Sequence, residues 1–138
     1  MDQFLGHWKL VKNDNFEAYL KAVNVSLLLR KVASRVTTYE EITQDIDHTC
    51  HLKLTSTFTT NTLTFKLGVP FKEITPSGHR MKTTITIEDD KWIQNQLADD
   101  PTAVDSKVTR RLLDMDNMIA TYEAGDVVAY RTMTRHKS

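Results

Sequence analysis

Arg131 is the residue of this chain whose placement has the clearest chemical consequence. It lies in the run Val127–Met133, and the two-residue period of a β-strand puts its side chain on the same face as Val127, Ala129 and Met133. A guanidinium on an apolar face that lines an interior costs on the order of several kcal/mol unless an anion meets it. A lone arginine in a strand is more often solvated, and the opposite face is also partly apolar. The strand alone therefore leaves two interpretations open, a surface charge and an interior anion-binding group.

The other reactive side chains form no recognisable catalytic or metal-binding pattern. The five histidines are scattered, and strand spacing would direct the imidazoles of His48 and His51 to opposite faces. No nucleophile elbow, phosphate-binding glycine loop or cysteine-based zinc spacing occurs. Carboxylates cluster in predicted turns such as Asp89-Asp90, where they are normally solvated. The sequence predicts a protein that is not an enzyme and requires neither a metal nor a cofactor.

Composition restricts the partners and the cellular compartment. The chain has 138 residues, which predicts a single domain covering residues 1–138. Its 18 basic and 18 acidic residues balance, whereas nucleic-acid binding normally needs a basic excess. The N-terminus lacks the pattern of a signal peptide, and no stretch approaches the ~20 apolar residues of a membrane span. With Cys50 as the single cysteine, we expect a soluble cytoplasmic protein without an internal disulfide.

Two helices are predicted between the first two strands, which run from about Phe4 to Lys12 and from about Thr38 to Asp45. Asn15 is a candidate N-cap for the first helix, and Asn24 tolerates the left-handed conformation at its end. Ser26 can cap a second helix, which also has an apolar stripe. The pattern indicates a helix-turn-helix inserted between strands one and two.

The rest of the chain has the pattern of an all-β protein. Short runs rich in Val, Ile, Thr, Phe and Tyr alternate with turn residues at intervals of about 8 to 12 residues. We count about ten strands and expect an up-and-down β-barrel. Above about eight strands, such a barrel can leave interior room for a ligand.

Three blocks of sequence resemble a known family over almost the whole chain. They are Phe4–Leu10, Asn15–Ala22 and a long middle block, Ser56–Thr75 followed by Arg80–Lys82, which contains Lys66-Leu67-Gly68-Val69-Pro70-Phe71. The family is the intracellular lipid-binding proteins, and the fatty-acid-binding proteins in particular. The resemblance implies a ten-stranded barrel (β-clam) with a helix-turn-helix lid, which carries long-chain fatty acids through the cytoplasm without catalysis.

The resemblance also implies a head-group site. Arg131 is similar to the family arginine that binds the ligand carboxylate, and Arg111 to the second interior arginine, with Arg110 as its solvent-facing neighbour. Two guanidiniums favour an acid over a neutral lipid. Met133 stands where the family commonly has a tyrosine, and Tyr122 is a candidate replacement for the missing hydroxyl.

Further residues are implied at the portal and along the acyl chain. Phe58 corresponds to the family's portal phenylalanine, and the expected contacts are Phe16, Tyr19, Leu20, Val25, Leu29, Val32, Ala33, Phe58, Met118 and Met133. Basic residues on the lid, namely Lys21, Arg30, Lys31 and Arg35, suggest transient contact with anionic membranes, although they also fit a solvated helix face.

One insertion and several alternatives complete the predictions. The segment between Gln96 and Arg111 is a few residues longer than usual in the family, and we interpret it as a longer, neutral hairpin loop. A carrier of another hydrophobic acid, such as a retinoid, is the first alternative. Three alternatives are weaker. One is an extracellular lipocalin-like carrier, which the motif Gly6-His7-Trp8 suggests. The others are a lipid-modifying enzyme and an adaptor that uses the barrel as a scaffold. We expect a monomer that does not bind nucleic acid.

Overall fold

The computed structural model describes residues 1–137, so the last residue of the predicted domain lies outside the described part. After a short 3-10 turn, Asp2–Phe4, the chain forms ten strands and two helices. Strand β1 (Gly6–Asp14) is followed by helices α1 (Phe16–Ala22) and α2 (Leu27–Ala33). The remaining strands are β2 (Tyr39–Gln44), β3 (Cys50–Thr55), β4 (Thr60–Phe65), β5 (Phe71–Ile74), β6 (Arg80–Glu88), β7 (Lys91–Ala98), β8 (Ser106–Leu112), β9 (Asn117–Ala124) and β10 (Val127–Arg135).

All ten strands belong to one antiparallel sheet in the order β4-β3-β2-β1-β10-β9-β8-β7-β6-β5. Strands that are neighbours in sequence pair with each other, except β4 with β5, and β1 also pairs with β10. Strands β4 and β5 are the two ends of this order, so the sheet is a nearly closed barrel. The predicted ten-stranded up-and-down barrel with two helices between strands one and two is confirmed.

The helix boundaries follow local chemistry, with one correction. Ser26 caps α2 as predicted, since its hydroxyl accepts from the Leu29 amide at 3.4 Å. Asn24 has the predicted left-handed backbone, with φ of 65°. The expected side-chain cap by Asn15 is wrong: Asn15 is itself left-handed, and its Nδ2 donates to the Val128 carbonyl at 2.9 Å. Asn15 therefore attaches the start of α1 to the barrel.

The main apolar core fills the part of the barrel away from the helices. It is a cluster that includes Phe4, Trp8, Ile85 and Trp92, and the indole of Trp8 donates to the Phe4 carbonyl at 2.9 Å. A second, smaller cluster joins α1 to β9 and β10. The interior between these two clusters is left for the candidate site.

No helix in residues 1–137 has the length and apolar character needed to cross a bilayer.

Candidate functional site

A cavity of about 260 Å³ lies inside the barrel, beneath the two helices. Its lining is mainly apolar, with a few polar and charged groups. The predicted portal and acyl-chain residues that line it are Phe16, Tyr19, Leu20, Val25, Leu29, Val32, Ala33 and Phe58. Two of them remain partly open to solvent, since Phe58 is 67% exposed and Leu29 of α2 is 49% exposed. The structure thus brings Phe58 and residues of both helices together around one cavity.

Met118 and Met133 were predicted to contact the acyl chain, and the structure places them elsewhere. The two residues face each other across β9 and β10, and both are fully buried in the main apolar core. Neither lines the cavity. The strands continue beyond the cavity into the core, and these two positions lie in that part.

Arg131 lies inside the barrel and is 7% exposed. Its Nε donates to Oδ1 of Asn13 at 2.9 Å, and its Nη2 donates to the hydroxyl of Thr38 at 3.2 Å. Its Cζ lies 4.0 Å from the centroid of the Phe16 ring, which is a cation–π contact. All of these partners are neutral. Among the residues described, no carboxylate lies within 4.0 Å of this guanidinium.

A β-bulge in β1 determines which residue faces Arg131. Leu10 pairs with Met133, but the next pairs are Lys12 with Thr132 and Asn13 with Arg131, so Val11 is an extra residue. If the register of Leu10 with Met133 continued without the bulge, Val11 would pair with Thr132 and Lys12 with Arg131. The bulge therefore replaces a like charge by a neutral hydrogen-bond acceptor.

The second interior arginine is Arg110, and the prediction of Arg111 is wrong. Arg110 is 2% exposed, whereas Arg111 is exposed on the outside of the barrel. In β8, the buried residues alternate as Ser106, Val108 and Arg110. Val108 is the apolar member of this series, and its alternation with Lys107 was the signal in the sequence that identifies Arg110 as interior.

Arg110 differs from Arg131 because it already has an anionic partner. Its Nε donates to Oε1 of Glu40 at 3.1 Å, and its Nη1 donates to Oε1 of Gln94 at 2.9 Å. Its Cζ is 5.2 Å from the centroid of the Trp92 ring. Burial alone would lower the pKa of Arg110, but the charge of Glu40 and the other anionic groups outweighs burial and raises it. The guanidinium is therefore firmly charged and paired.

The two interior arginines occupy one row across three neighbouring strands. Ala120 of β9 pairs with Arg131 of β10 on one side and with Arg110 of β8 on the other. At the usual strand spacing, their Cα atoms are about 10 Å apart. The fully buried Ala120 lies between them.

Tyr122 follows Ala120 on the same face of β9 and lines the cavity. It pairs with Ala129 of β10 and Val108 of β8, each two residues from an interior arginine. Its ring is packed edge-on against Phe16 and Tyr19, with centroids 5.4 and 5.1 Å away. The ring of Tyr122 is thus next to the strand positions of the two interior arginines and is packed against α1.

Two buried glutamates are functional candidates that the sequence reasoning missed. Glu73 lines the cavity, and its Oε1 accepts from Thr83 at 2.7 Å and from Gln96 at 3.0 Å. Glu40 alternates with the buried Ile42 in β2. This alternation was the available signal for Glu40. A similar alternation was available for Glu73, which is two residues from the partly buried Phe71 in β5.

The basic residues of the lid are not equally free. Lys31 forms a salt bridge with Glu17 of α1 at 2.9 Å, and Nη1 of Arg30 donates to the Val25 carbonyl at 2.9 Å. Lys21 and Arg35 are exposed. The hydrogen bond with Lys31 lowers the pKa of Glu17, with further help from the nearby positive charges.

The β7–β8 loop, residues 99–105, contacts the lid. Asn24, between the two helices, donates from Nδ2 to the Thr102 carbonyl at 2.8 Å, and Val104 lines the cavity. Asp100 holds the loop in shape by accepting from the amides of Arg80 at 2.7 Å and Thr102 at 2.8 Å. The longer loop is therefore part of the rim around the opening.

Comparison with known proteins gives a consistent set of similarities. Residues 5–136 match the model of the lipocalin / cytosolic fatty-acid binding protein family. The chain is similar to fatty acid-binding protein homolog 5 of Caenorhabditis elegans, at 42% identity over 97% of each chain. Its structure is similar to that of apo lipid binding protein 8 of the same organism, with a TM-score of 0.92, 38% identity and coverage of 99% and 97%. It is also similar to a Schistosoma mansoni fatty acid binding protein in complex with arachidonic acid, with a TM-score of 0.90, 33% identity and coverage of 99% and 98%.

Proposed function

Since this chain belongs to the lipocalin / cytosolic fatty-acid binding protein family, we propose that it binds long-chain fatty acids reversibly and carries them through the cytoplasm. It acts as a monomeric, single-domain carrier and catalyses no reaction. Relatives of this chain include proteins named for fatty-acid binding, and one similar structure is a complex with arachidonic acid.

The observation that carries this proposal is the state of Arg131. A guanidinium that is 7% exposed and has only neutral partners in the described chain retains an unsatisfied positive charge next to an apolar cavity. Leaving a buried charge without a counter-ion is strongly unfavourable, and a ligand carboxylate would supply one. The acyl chain would then lie along the apolar lining towards Phe58 and α2.

The direct test is a comparison of two arginine variants. Arg131→Gln removes the charge inside the cavity, and we expect oleate affinity to fall by at least about tenfold, the loss for one charge-assisted hydrogen bond. Arg111→Gln removes the same charge from the outer face and should bind oleate like the unaltered protein. Equal oleate binding by all three proteins would refute the proposal.

Extraction of the purified protein with organic solvent separates the alternative functions. Bound, unaltered fatty acid supports a carrier, chemical turnover of added lipid supports an enzyme, and an empty barrel that binds no added oleate supports an adaptor. Competition between oleate and retinoic acid decides between the fatty acid and the retinoid, since both carry a carboxylate.

Tyr122 is proposed as a hydroxyl donor to the carboxylate, in place of the tyrosine that Met133 replaces. Its support is its position on the same face as Ala120, between the strands of the two arginines. Tyr122→Phe keeps the ring packed against Phe16 and Tyr19 and removes only the hydroxyl. Weaker oleate binding supports the role, whereas unchanged binding makes Tyr122 an ordinary aromatic of the cavity wall.

The lid is proposed to contact anionic membranes when the ligand is transferred. Support comes from the exposed apolar side chains of α2 and the charges of Lys21, Arg30, Lys31 and Arg35 around them. Lys31 is paired with Glu17, and Arg30 is partly buried with Nη1 donating to the Val25 carbonyl, so we assign the main electrostatic attraction to the exposed Lys21 and Arg35. Replacing these two by Gln should slow transfer of a fluorescent fatty acid to anionic vesicles, while Lys91→Gln plus Lys107→Gln on the barrel serves as the control.

A further inference from the structure

We propose that Glu40 is a specificity-determining residue: it is a built-in counter-ion that occupies Arg110 and leaves the ligand carboxylate to Arg131. The inference rests on the proposed function, because it concerns how a fatty acid would be bound in this cavity. It assigns different tasks to two arginines that stand in the same row of the barrel.

The pairing spans the barrel. Glu40 is on β2 and Arg110 is on β8, and three strands, β1, β10 and β9, lie between them in the sheet. Nevertheless, Oε1 of Glu40 is 3.1 Å from Nε of Arg110, and both side chains are at most 3% exposed. Gln94 occupies Nη1 of the same guanidinium at 2.9 Å. A ligand carboxylate would have to compete with both groups.

The tethered carboxylate has the advantage in that competition. Glu40 is held in place by β2, between Trp8 of β1 and Leu54 of β3, so it loses little freedom when it pairs with Arg110. A free fatty acid must lose translational and rotational freedom when it binds. A group attached to the protein therefore has a high effective concentration at its partner.

The buried charges also favour Arg131 over Arg110 as the partner of the ligand carboxylate. Four charged side chains are buried among the described residues, and Arg110 and Arg131 are balanced by Glu40 and Glu73. Of the two arginines, only Arg131 has no carboxylate within 4.0 Å in that part of the chain. A ligand carboxylate at Arg131 completes a pair, whereas a second carboxylate at Arg110 would add repulsion to an existing pair.

A consequence for ligand selection follows. With one cation available, the protein should prefer oleate over the neutral oleyl alcohol by less than a site with two available arginines would. Glu40→Gln keeps the shape and frees Arg110. We expect the ratio of oleate to oleyl alcohol affinity to rise by about tenfold, the effect of one additional charge-assisted hydrogen bond. A purely structural Glu40 would change the affinity for both ligands equally, and an unchanged ratio would therefore overturn the proposal.

A second variant keeps the proposal testable if Glu40→Gln does not fold, since removal of one partner from a buried ion pair is strongly destabilising. The double variant Glu40→Leu/Arg110→Met replaces both charged side chains by apolar ones of similar volume, a change that proteins often tolerate. Its ratio of oleate affinity to oleyl alcohol affinity should stay within about threefold of the ratio of the unaltered protein, because Arg131 is unchanged. A loss of oleate preference as large as that of Arg131→Gln would overturn the proposal.

The two proposals fail in distinguishable ways. If the unaltered protein does not bind oleate, the proposed function fails and the role of Glu40 fails with it. If the unaltered protein binds oleate and the double variant loses its preference for the acid, fatty-acid binding stands and the role of Glu40 alone is wrong.

Discussion

Asn13 and Arg131 face each other across β1 and β10, with Oδ1 of Asn13 2.9 Å from Nε of Arg131. This pairing exists because the bulge at Val11 shifts β1 by one residue. Asn13 is isosteric with aspartate but uncharged. The arginine is thus oriented by an acceptor that leaves its positive charge unbalanced.

The first prediction concerns a variant in which the charge of Arg131 is balanced. Asn13→Asp would give Arg131 a tethered counter-ion of the kind that Glu40 gives Arg110. We expect oleate affinity to fall by about tenfold and protein stability to remain similar or to rise, because a buried cation gains a partner. Fluorescence titration with a fatty-acid probe and urea unfolding measure the two effects.

The control is Asn95→Asp, which makes the same change of charge on the exposed face of β7. It should leave the affinity unchanged. If Asn13→Asp binds oleate as tightly as Asn95→Asp does, the carboxylate does not bind at Arg131.

The sequence predicts the barrel well because the relevant signals are local. Alternation within a strand and turn residues between strands specify ten strands and the antiparallel pairing of most neighbours, and the helix pair has its own period and the Ser26 cap. The apolar residues Ala129 and Met133 on the same strand left the side of Arg131 open, and the family resemblance placed it inside.

The second arginine shows where such reasoning fails. Consecutive residues of a strand point to opposite faces, so an error of one position exchanges an interior group for a surface group. Counting from the resemblance selected Arg111, whereas alternation from Val108 identifies Arg110.

Two other features have no local signal at all. The ion pair of Glu40 and Arg110 joins positions 70 residues apart, and it forms only when the barrel brings β2 opposite β8. The bulge at Val11 is determined by the pairing of β1 with β10, because an extra residue in one strand is defined only relative to its partner.

The second prediction concerns Met133, which is 1% exposed in the core and not on the cavity wall. Met133→Ala should destabilise the protein by about 2–5 kcal/mol through loss of buried contacts and formation of a cavity. Oleate affinity, measured where the variant is fully folded, should change little. Met115→Ala, at an exposed turn, is the control and should have little effect on stability.

Urea unfolding measures the stability of each variant, and displacement of a fluorescent fatty-acid probe measures its oleate affinity. A large loss of oleate affinity in the folded Met133→Ala variant would restore Met133 as a ligand contact.

The third prediction is a pH effect on the lid. The salt bridge with Lys31 lowers the pKa of Glu17 in the folded protein, so the bridge is fully formed above the ordinary glutamate value and is lost as the pH falls through the lowered value. We expect α2 amides to exchange more slowly in the unaltered protein than in Glu17→Gln at pH 7. This difference should become smaller as the pH falls from 7 to about 3, because protonation of Glu17 below the ordinary glutamate pKa progressively removes the bridge.

Because both proteins are compared at the same pH, the intrinsic pH dependence of exchange cancels. Asp126→Asn, in an exposed turn, controls for the loss of one negative charge. The assignment to this bridge would be contradicted if the α2 amide exchange rates of Glu17→Gln and the unaltered protein differed by the same factor at both pH values.

The last prediction concerns the contact between the long β7–β8 loop and the lid. Nδ2 of Asn24 donates to the Thr102 carbonyl at 2.8 Å, and Asn24 adopts φ of 65°, which glycine accepts without strain. Asn24→Gly therefore removes the tether while keeping the turn between α1 and α2. If the tether restrains the lid, oleate should dissociate up to about fivefold faster, the equivalent of one hydrogen bond of about 1 kcal/mol.

Asn24→Asp also lacks the amide donor but keeps a side chain, and aspartate tolerates the same backbone region. Stopped-flow release of a fluorescent fatty acid should accelerate in both variants. Acceleration in the glycine variant alone would indicate backbone flexibility as the cause, and unchanged rates in both would support the neutral loop that the sequence predicted.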